Sequence, residues 1–188
     1  HTLYAAWKGV SVELSFDAAG GSRISGTKTL IFGEAYGSLP KPKREGFEFL
    51  GWYTENGIHI TEDSIVSNAQ AHTVSARWTE KYAELLFVGN GGKVISDGKQ
   101  EAKLSKLYVY KKPYGQLPQA VRNGYRFAGW FTAPVQGNQI LPEKQCDVKL
   151  ADTYYAQWNA NRYEVQFDAN GGSCGTQKMT VVFGENYG

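Results

Sequence analysis

One string in the chain has the spacing of a hydrolase nucleophile: Gly171, Gly172, Ser173, Cys174 and Gly175 satisfy Gly-x-Ser-x-Gly. That motif works only on a strand-to-helix elbow, with an Asp and a His further along the chain. Here the Gly-Gly pair ends a strand in a hairpin context, and no His follows His72. Ser173 is therefore read as a turn residue. The histidines are His1, His59 and His72, and the position shared by His1 and His72 is Asp152 in the next copy of the same block. A base that one copy replaces is not essential to the others. Glu62 and Asp63 are adjacent, so on a strand they would face opposite ways and could not work as a pair. Cys146 and Cys174 stand 28 residues apart, with no Cys-x-x-Cys and no His at ligand spacing, which does not suit a zinc site. No P-loop, dinucleotide fingerprint or calcium loop occurs. The expectation is a chain with no enzymatic activity, no cofactor and no metal.

Charge is the remaining chemical signal. Residues 10–80 hold six Lys/Arg and nine Asp/Glu, net −3; residues 81–160 hold eleven and six, net +5. Lys93, Lys99, Lys103, Lys106, Lys111 and Lys112 fall within twenty residues, diluted by Asp97 and Glu101. They are candidate ligands for a polyanion, either an anionic wall polymer or a host glycan. The simpler reading, which we favour, is a solvated hairpin whose lysines protect a sheet edge against strand-on-strand aggregation. The whole chain carries a formal charge of +2, too little to imply a nucleic-acid partner.

These residues are positioned by a repeat. The string SFDAAGG at 15–21 returns as LFVGNGG at 86–92 and QFDANGG at 166–172; FGEAYGSLP at 32–40 returns as YKKPYGQLP at 110–118 and FGENYG at 183–188. REGFEFLGWYT at 44–54 returns as RNGYRFAGWFT at 122–132. HTLYAAW at 1–7 returns as HTVSARW at 72–78 and DTYYAQW at 152–158. The closing tryptophans Trp7, Trp78 and Trp158 thus recur after 71 and 80 residues. Two inserts, of seven and two residues, lie between blocks, where loops tolerate length change. The domains are then a closing strand at 1–9, modules at 10–80 and 81–160, and the opening hairpin of a third module at 161–188. The chain opens on His1 without a charged-then-apolar leader, and we read it as a segment of a longer protein.

Each block reads as strand. Val12, Leu14 and Phe16 alternate with Ser11, Glu13 and Ser15, the period of a half-buried strand. The following Gly-Gly pairs supply the positive φ that hairpin turns need. Second strands are expected at 27–32, 106–110 and 180–183. The YGxLP block is a crossing loop or at most one helical turn, because Pro cannot donate to a central ladder. With 5 Trp, 12 Tyr, 9 Phe and 22 Gly but one Met in 188 residues, the composition favours short strands and tight turns. The longest strongly apolar run, 85–88, is far below the ~20 residues that span a bilayer. A module of this size buries only roughly 60% of its unfolded surface, so it needs large side chains; one buried Trp is worth about 4–6 kcal/mol before entropy. Phe16, Trp52, Trp78, Phe87, Trp130 and Trp158 are therefore assigned to structural core. A rival assignment makes Tyr53 and Phe131 sugar platforms of a carbohydrate-binding appendage on a secreted enzyme.

The blocks FDANGG, FGExYG, LPxPxREG, GWYT and HTLYAxW, in this order, resemble the Listeria-Bacteroides repeat family of internalin-type B-repeat modules. The resemblance covers essentially the whole chain. It implies a mainly β fold of tandem small β-grasp-like modules, each a four- to five-stranded twisted sheet with little helix. It also implies an extracellular role in secreted or wall-attached bacterial surface proteins, as spacers or adhesion modules that contact neighbouring repeats. The second module departs from the pattern at Val88, where Asp17 and Asp168 stand in the other copies. It departs again at Lys111 and Lys112 in place of Gly-Glu, and in the insert within 93–107. The terminal hairpin's open edge is expected to pair with the Leu3, Ala5, Trp7 strand of a neighbouring molecule, a self-association of the fragment through its ends.

Overall fold

The alternating apolar positions become strands whose inward faces build one core in each of two compact units, His1–Lys81 and Tyr82–Gly188. The computed structural model describes residues 3–4, 8–148 and 150–187. Most of the closing strand expected at 1–9, including Trp7, lies outside the described residues. No helix occurs among those that are described.

In the first unit β1 (Ser11–Asp17), β2 (Lys28–Ile31), β3 (Phe47–Tyr53), β4 (His59–Ile60) and β5 (His72–Glu80) form one sheet in the order β2-β1-β5-β3-β4. β1 and β5 pair in parallel, Leu14 opposite His72 through Asp17 opposite Ser75, and every other pair is antiparallel. This is a β-grasp-like sheet with its first and last strands side by side at the centre. The YGSLP block crosses as a loop with Tyr36 and Leu39 buried, and no helical turn forms. Trp52 is 1% exposed, donates its indole N–H to Pro40 O at 2.7 Å, and meets Phe16 edge-on at 4.9 Å. The crossing loop is thus bolted to the core by one buried hydrogen bond, since an indole N–H removed from water must find an acceptor.

The second unit repeats the plan with β6 (Tyr82–Val88), β9 (Lys103–Val109), β11 (Tyr125–Phe131) and β12 (Ala151–Ala160), in the order β11-β12-β6-β9 with β6 and β12 parallel. Trp130, also 1% exposed, donates to Pro118 O at 2.8 Å and meets Phe87 edge-on at 4.8 Å. The seven-residue insert departs from expectation. Instead of lengthening a loop it folds as β7 (Lys93–Ser96) and β8 (Lys99–Glu101), which join β10 (Gln119–Val121) in a separate three-stranded sheet. The physical reason is the dipeptide between them: Asp97 at φ 48° and Gly98 at φ 77° make the two-residue turn whose twist matches antiparallel strands. The second strand accordingly starts at Lys103, earlier than the sequence suggested. The last strands, β13 (Arg162–Gln166) and β14 (Lys178–Val182), form a two-stranded hairpin. It is held to the same unit where Asn161 N donates to Gly124 O at 2.9 Å and Phe183 meets Tyr125 edge-on at 5.5 Å.

Replacing Trp52 or Trp130 by Ala should cost about 3–5 kcal/mol, the range for emptying a large core site, and lower the urea midpoint of that unit. A variant that melts like its parent would place the indole outside the energetic core.

Candidate functional site

The turn after each first strand is the most elaborate local structure in the chain. In the first unit Asp17 Oδ1 accepts from Ala19 N at 2.9 Å, Ala19 and Gly20 take φ of 46° and 84°, and Gly21 N closes the turn on Ala18 O at 2.9 Å. The indole of Trp78, arriving on β5, donates to that same Ala18 O at 3.0 Å and packs against Gly21 through Cζ2 and Cη2. A Cβ on Gly21 would fall 2.5 Å from Trp78 Cζ2, so only glycine leaves the ring its place. Arg44 reaches the turn from the other side: its Nη1 donates to Ala19 O at 3.3 Å, and its guanidinium covers the Phe47 ring at 3.9 Å. In the second unit Trp158 donates to Gly89 O and Asn90 O, both at 3.1 Å, and lies against Gly92, while Arg122 covers Tyr125 at 3.9 Å. Val88 gives no aspartate turn, yet the backbone is unchanged, with Asn90 at φ 46° and Gly91 at φ 85°. Asn90 secures it by donating Nδ2 to Pro134 O at 2.8 Å and Ala156 O at 2.9 Å. Sequence reasoning gave the Gly-Gly pairs only a turn role and did not assign Arg44 or Arg122. The recurring Arg-x-Gly-aromatic string was the available signal.

The outer face of the first sheet carries a cation and aromatic stack. β3 runs between β5 and β4, so the Tyr53 ring stands between Arg77, whose guanidinium lies 4.2 Å from its centroid, and His59, stacked at 4.8 Å and 27°. These neighbours occupy the ring that the sugar-platform reading requires. On the same face the hydroxyls of Thr27 and Thr29 donate to Glu13 at 2.5 and 3.0 Å, and hold its carboxyl below the usual carboxylate range.

His72 lines an open cleft of about 780 Å³ together with Tyr36, Ile58, Ser64 and Asn68. Both ring nitrogens are engaged: Nδ1–H donates to Gln70 O at 2.9 Å, since a carbonyl only accepts, and Nε2 accepts from Tyr36 O–H at 2.9 Å. The ring has no nitrogen left for base catalysis. The corresponding Tyr114 hydroxyl contacts the Tyr154 hydroxyl at 3.3 Å, beside buried Cys146. Burial pushes Tyr108 up to about 12 and raises Tyr154 and the Cys146 thiol as well. Glu62 and Asp63 sit in the turn after β4, not on a strand as assumed from sequence. Ser173 and Cys174 lie in the exposed loop between β13 and β14, where no helix begins.

The six lysines have different surroundings. Lys106 Nζ donates to Gln116 O at 3.2 Å, as Lys28 Nζ does to Tyr36 O and Ser38 O, both at 2.6 Å. In both units a strand lysine therefore clamps the crossing loop. Lys111 pairs with Asp147 at 2.6 Å and occupies a left-handed position, φ 64°, where the first unit has Gly33 at φ 85°. Lys93, Lys99 and Lys103 are exposed and open β7, β8 and β9 in turn, and Lys112 is exposed in the turn after β9. β8 and β9 are edge strands of their sheets. Among the core assignments, Phe87 is fully buried and Phe16, Trp78 and Trp158 are half-buried at the margin of their cores.

The Listeria-Bacteroides repeat domain matches residues 13–77 and again 84–157. Two curated relatives come from Evansella cellulosilytica. One, provisionally named a Gly-rich membrane protein, is 29% identical over 177 residues, which cover 92% of this chain and 19% of the relative. The other, provisionally named a membrane protein, is 28% identical over 177 residues, covering 92% of this chain and 24% of the relative. The chain thus spans about a fifth to a quarter of the length of these relatives. Replacing Gly21 or Gly92 by Ala should displace the indole and destabilise that unit by about 1–3 kcal/mol, the usual cost of overpacking. Thermal melts with tryptophan emission as the probe report both effects, and an unchanged melt and spectrum would disprove the seat.

Proposed function

The chain belongs to the Listeria-Bacteroides repeat family, and from that membership we propose that it is a non-catalytic spacer of a secreted or wall-attached bacterial surface protein, holding an adhesive domain at a distance. The observation that carries this reading is the parallel pairing of first and last strands, β1 with β5 and β6 with β12. A chain pulled from its two ends draws two parallel neighbours in opposite directions. The force then acts along the strands and across the hydrogen bonds, so the ladder must yield together instead of unzipping one bond at a time. The Trp78 and Trp158 seats join the same strand pairs a second time, at the turn. Such an arrangement suits a segment under tension. The engaged nitrogens of His72 and the hairpin setting of Ser173 support the non-catalytic half of the proposal.

Single-molecule stretching of the chain tests it. Two discrete events are expected, each releasing roughly 230–270 Å at ~3.4 Å per residue for modules of this length. The events should need clearly more force than unzipping the first unit through handles at residues 11 and 31. Featureless extension, or equal forces in both geometries, would remove the spacer proposal. For partners, we propose a weak polyanion contact through Lys93, Lys99 and Lys103. Changing all three to Gln should lower the salt needed to elute the chain from heparin, because exposed charges act through a screened field. Identical elution would remove that contact.

A further inference from the structure

The cleft beside His72 lies wholly within the first unit, its lining residues falling between 36 and 75. Ile58 and Ile65 form part of its wall and are 61% and 57% exposed. The backbone matches them to polar residues of the second unit, Asn138 and Gln145. Thr54 N donates to Ile58 O as Thr132 N does to Asn138 O, and the bridge of Ala35 with Ile65 recurs as Pro113 with Gln145. In the same registry Ser67, Asn68 and His72 become Asp147, Val148 and Asp152, and Asp147 is ion-paired with Lys111. One fold is thus built with either polar or aliphatic side chains at these two positions, so packing of the module does not require the isoleucines. Two exposed aliphatic side chains on one concave wall mark a surface that meets a ligand.

The polar groups on that wall have a fixed hydrogen-bonding sense. His72 Nδ1–H is committed to Gln70 O, so Nε2 accepts and the Tyr36 hydroxyl donates its proton. The buried Tyr36 oxygen is left as an acceptor at the floor of the cleft. Asn68 Oδ1 accepts from Gln70 N at 2.9 Å, which leaves its Nδ2 as a donor. The side chains of Asn56, Ser67 and Thr73 make no hydrogen bond among the described residues. Glu55 carries the one formal charge in the lining, and no Lys or Arg contributes to it. An anion therefore finds no counter-charge here. A sugar ring meets all of these features at once, since each hydroxyl both donates and accepts while the C–H faces pack on aliphatic side chains. The volume of about 780 Å³ lies inside the ~300–1,000 Å³ of small-ligand sites. We propose that this cleft binds an uncharged oligosaccharide. Tyr36 Oη accepts from one sugar hydroxyl, Asn68 Nδ2 donates to another, and Ile58 and Ile65 pack on the ring faces. The site is separate from the Tyr53 ring, which Arg77 and His59 occupy.

NMR titration of the whole chain with neutral trisaccharides of glucose, galactose, mannose and N-acetylglucosamine tests the proposal. At least one sugar should give saturable shifts confined to the first unit and centred on Ile65, Asn68 and Thr73. Tyr36→Phe and Thr73→Val, each removing one hydroxyl, should weaken binding about fivefold to tenfold, as loss of a neutral hydrogen bond does. Ile58→Asn combined with Ile65→Gln, the residues that the second unit carries, should weaken it about tenfold or more. Circular dichroism and thermal melting should show Thr73→Val and the double variant folded as the parent, and Asn138→Ala should bind as the parent does. No saturable shift with any of the four sugars overturns the proposal, including the case in which hexalysine alone titrates the cleft and Glu55 is the seat of a cationic peptide. Shifts centred on the second unit, or cleft variants that bind as the parent does, overturn it equally.

Discussion

The structure depends on an indole packed against a residue with no side chain. Trp78 on Gly21 and Trp158 on Gly92 bring the end of the last strand to the turn that ends the first. A module of about 70 residues has little interior, so these half-buried rings at the core margin shed water by packing against turn backbone. The glycine permits the approach, and the turn carbonyls satisfy the indole N–H. Arg44 and Arg122 close the far side by covering Phe47 and Tyr125. Turn, last strand and third strand therefore meet at one point, and the parallel pairing that runs from it could not shift register without moving the ring off its seat.

That point tolerates divergence around it. The second unit lacks the aspartate of the turn, yet Asn90 holds the same backbone by reaching Pro134 and Ala156. Lys28 and Lys106 keep one task, tying down the crossing loop, although they donate to different numbers of carbonyls. The cores differ more. Leu30 and Val74 of the first unit are matched by Tyr108 and Tyr154 in the second, with Cys146 beside them. The Tyr108 hydroxyl is buried and finds no partner among the described residues, a cost that the larger apolar area of the ring offsets. Interior chemistry is thus free to drift while the seat is retained.

The same geometry underlies the mechanical role proposed for the chain. On the spacer proposal, the parallel first-to-last pairing sets extension against the whole ladder of β1 with β5, and of β6 with β12, at once.

Local pattern was readable from residues alone. The alternation of Val12, Leu14 and Phe16 placed β1, prolines kept the YGxLP block out of the sheet, and the returning Gly-Gly, Gly-Trp and closing-Trp strings showed the repeat and its family. Asp97-Gly98 was also legible as a hairpin signal, though the insert around it was read as loop. These are properties of a few neighbouring residues, set by backbone sterics and side-chain period. Tertiary structure decided the rest: that β1 pairs with β5 from 58 residues away, that Lys106 and Lys111 serve a loop carbonyl and Asp147 while Lys93 and Lys103 stay exposed, and that Arg77 and His59 occupy the Tyr53 ring. Each of those outcomes is a choice among partners that sequence spacing leaves equally available. Only closure of the sheet, which brings one set within a few ångströms and carries the others away, makes the choice.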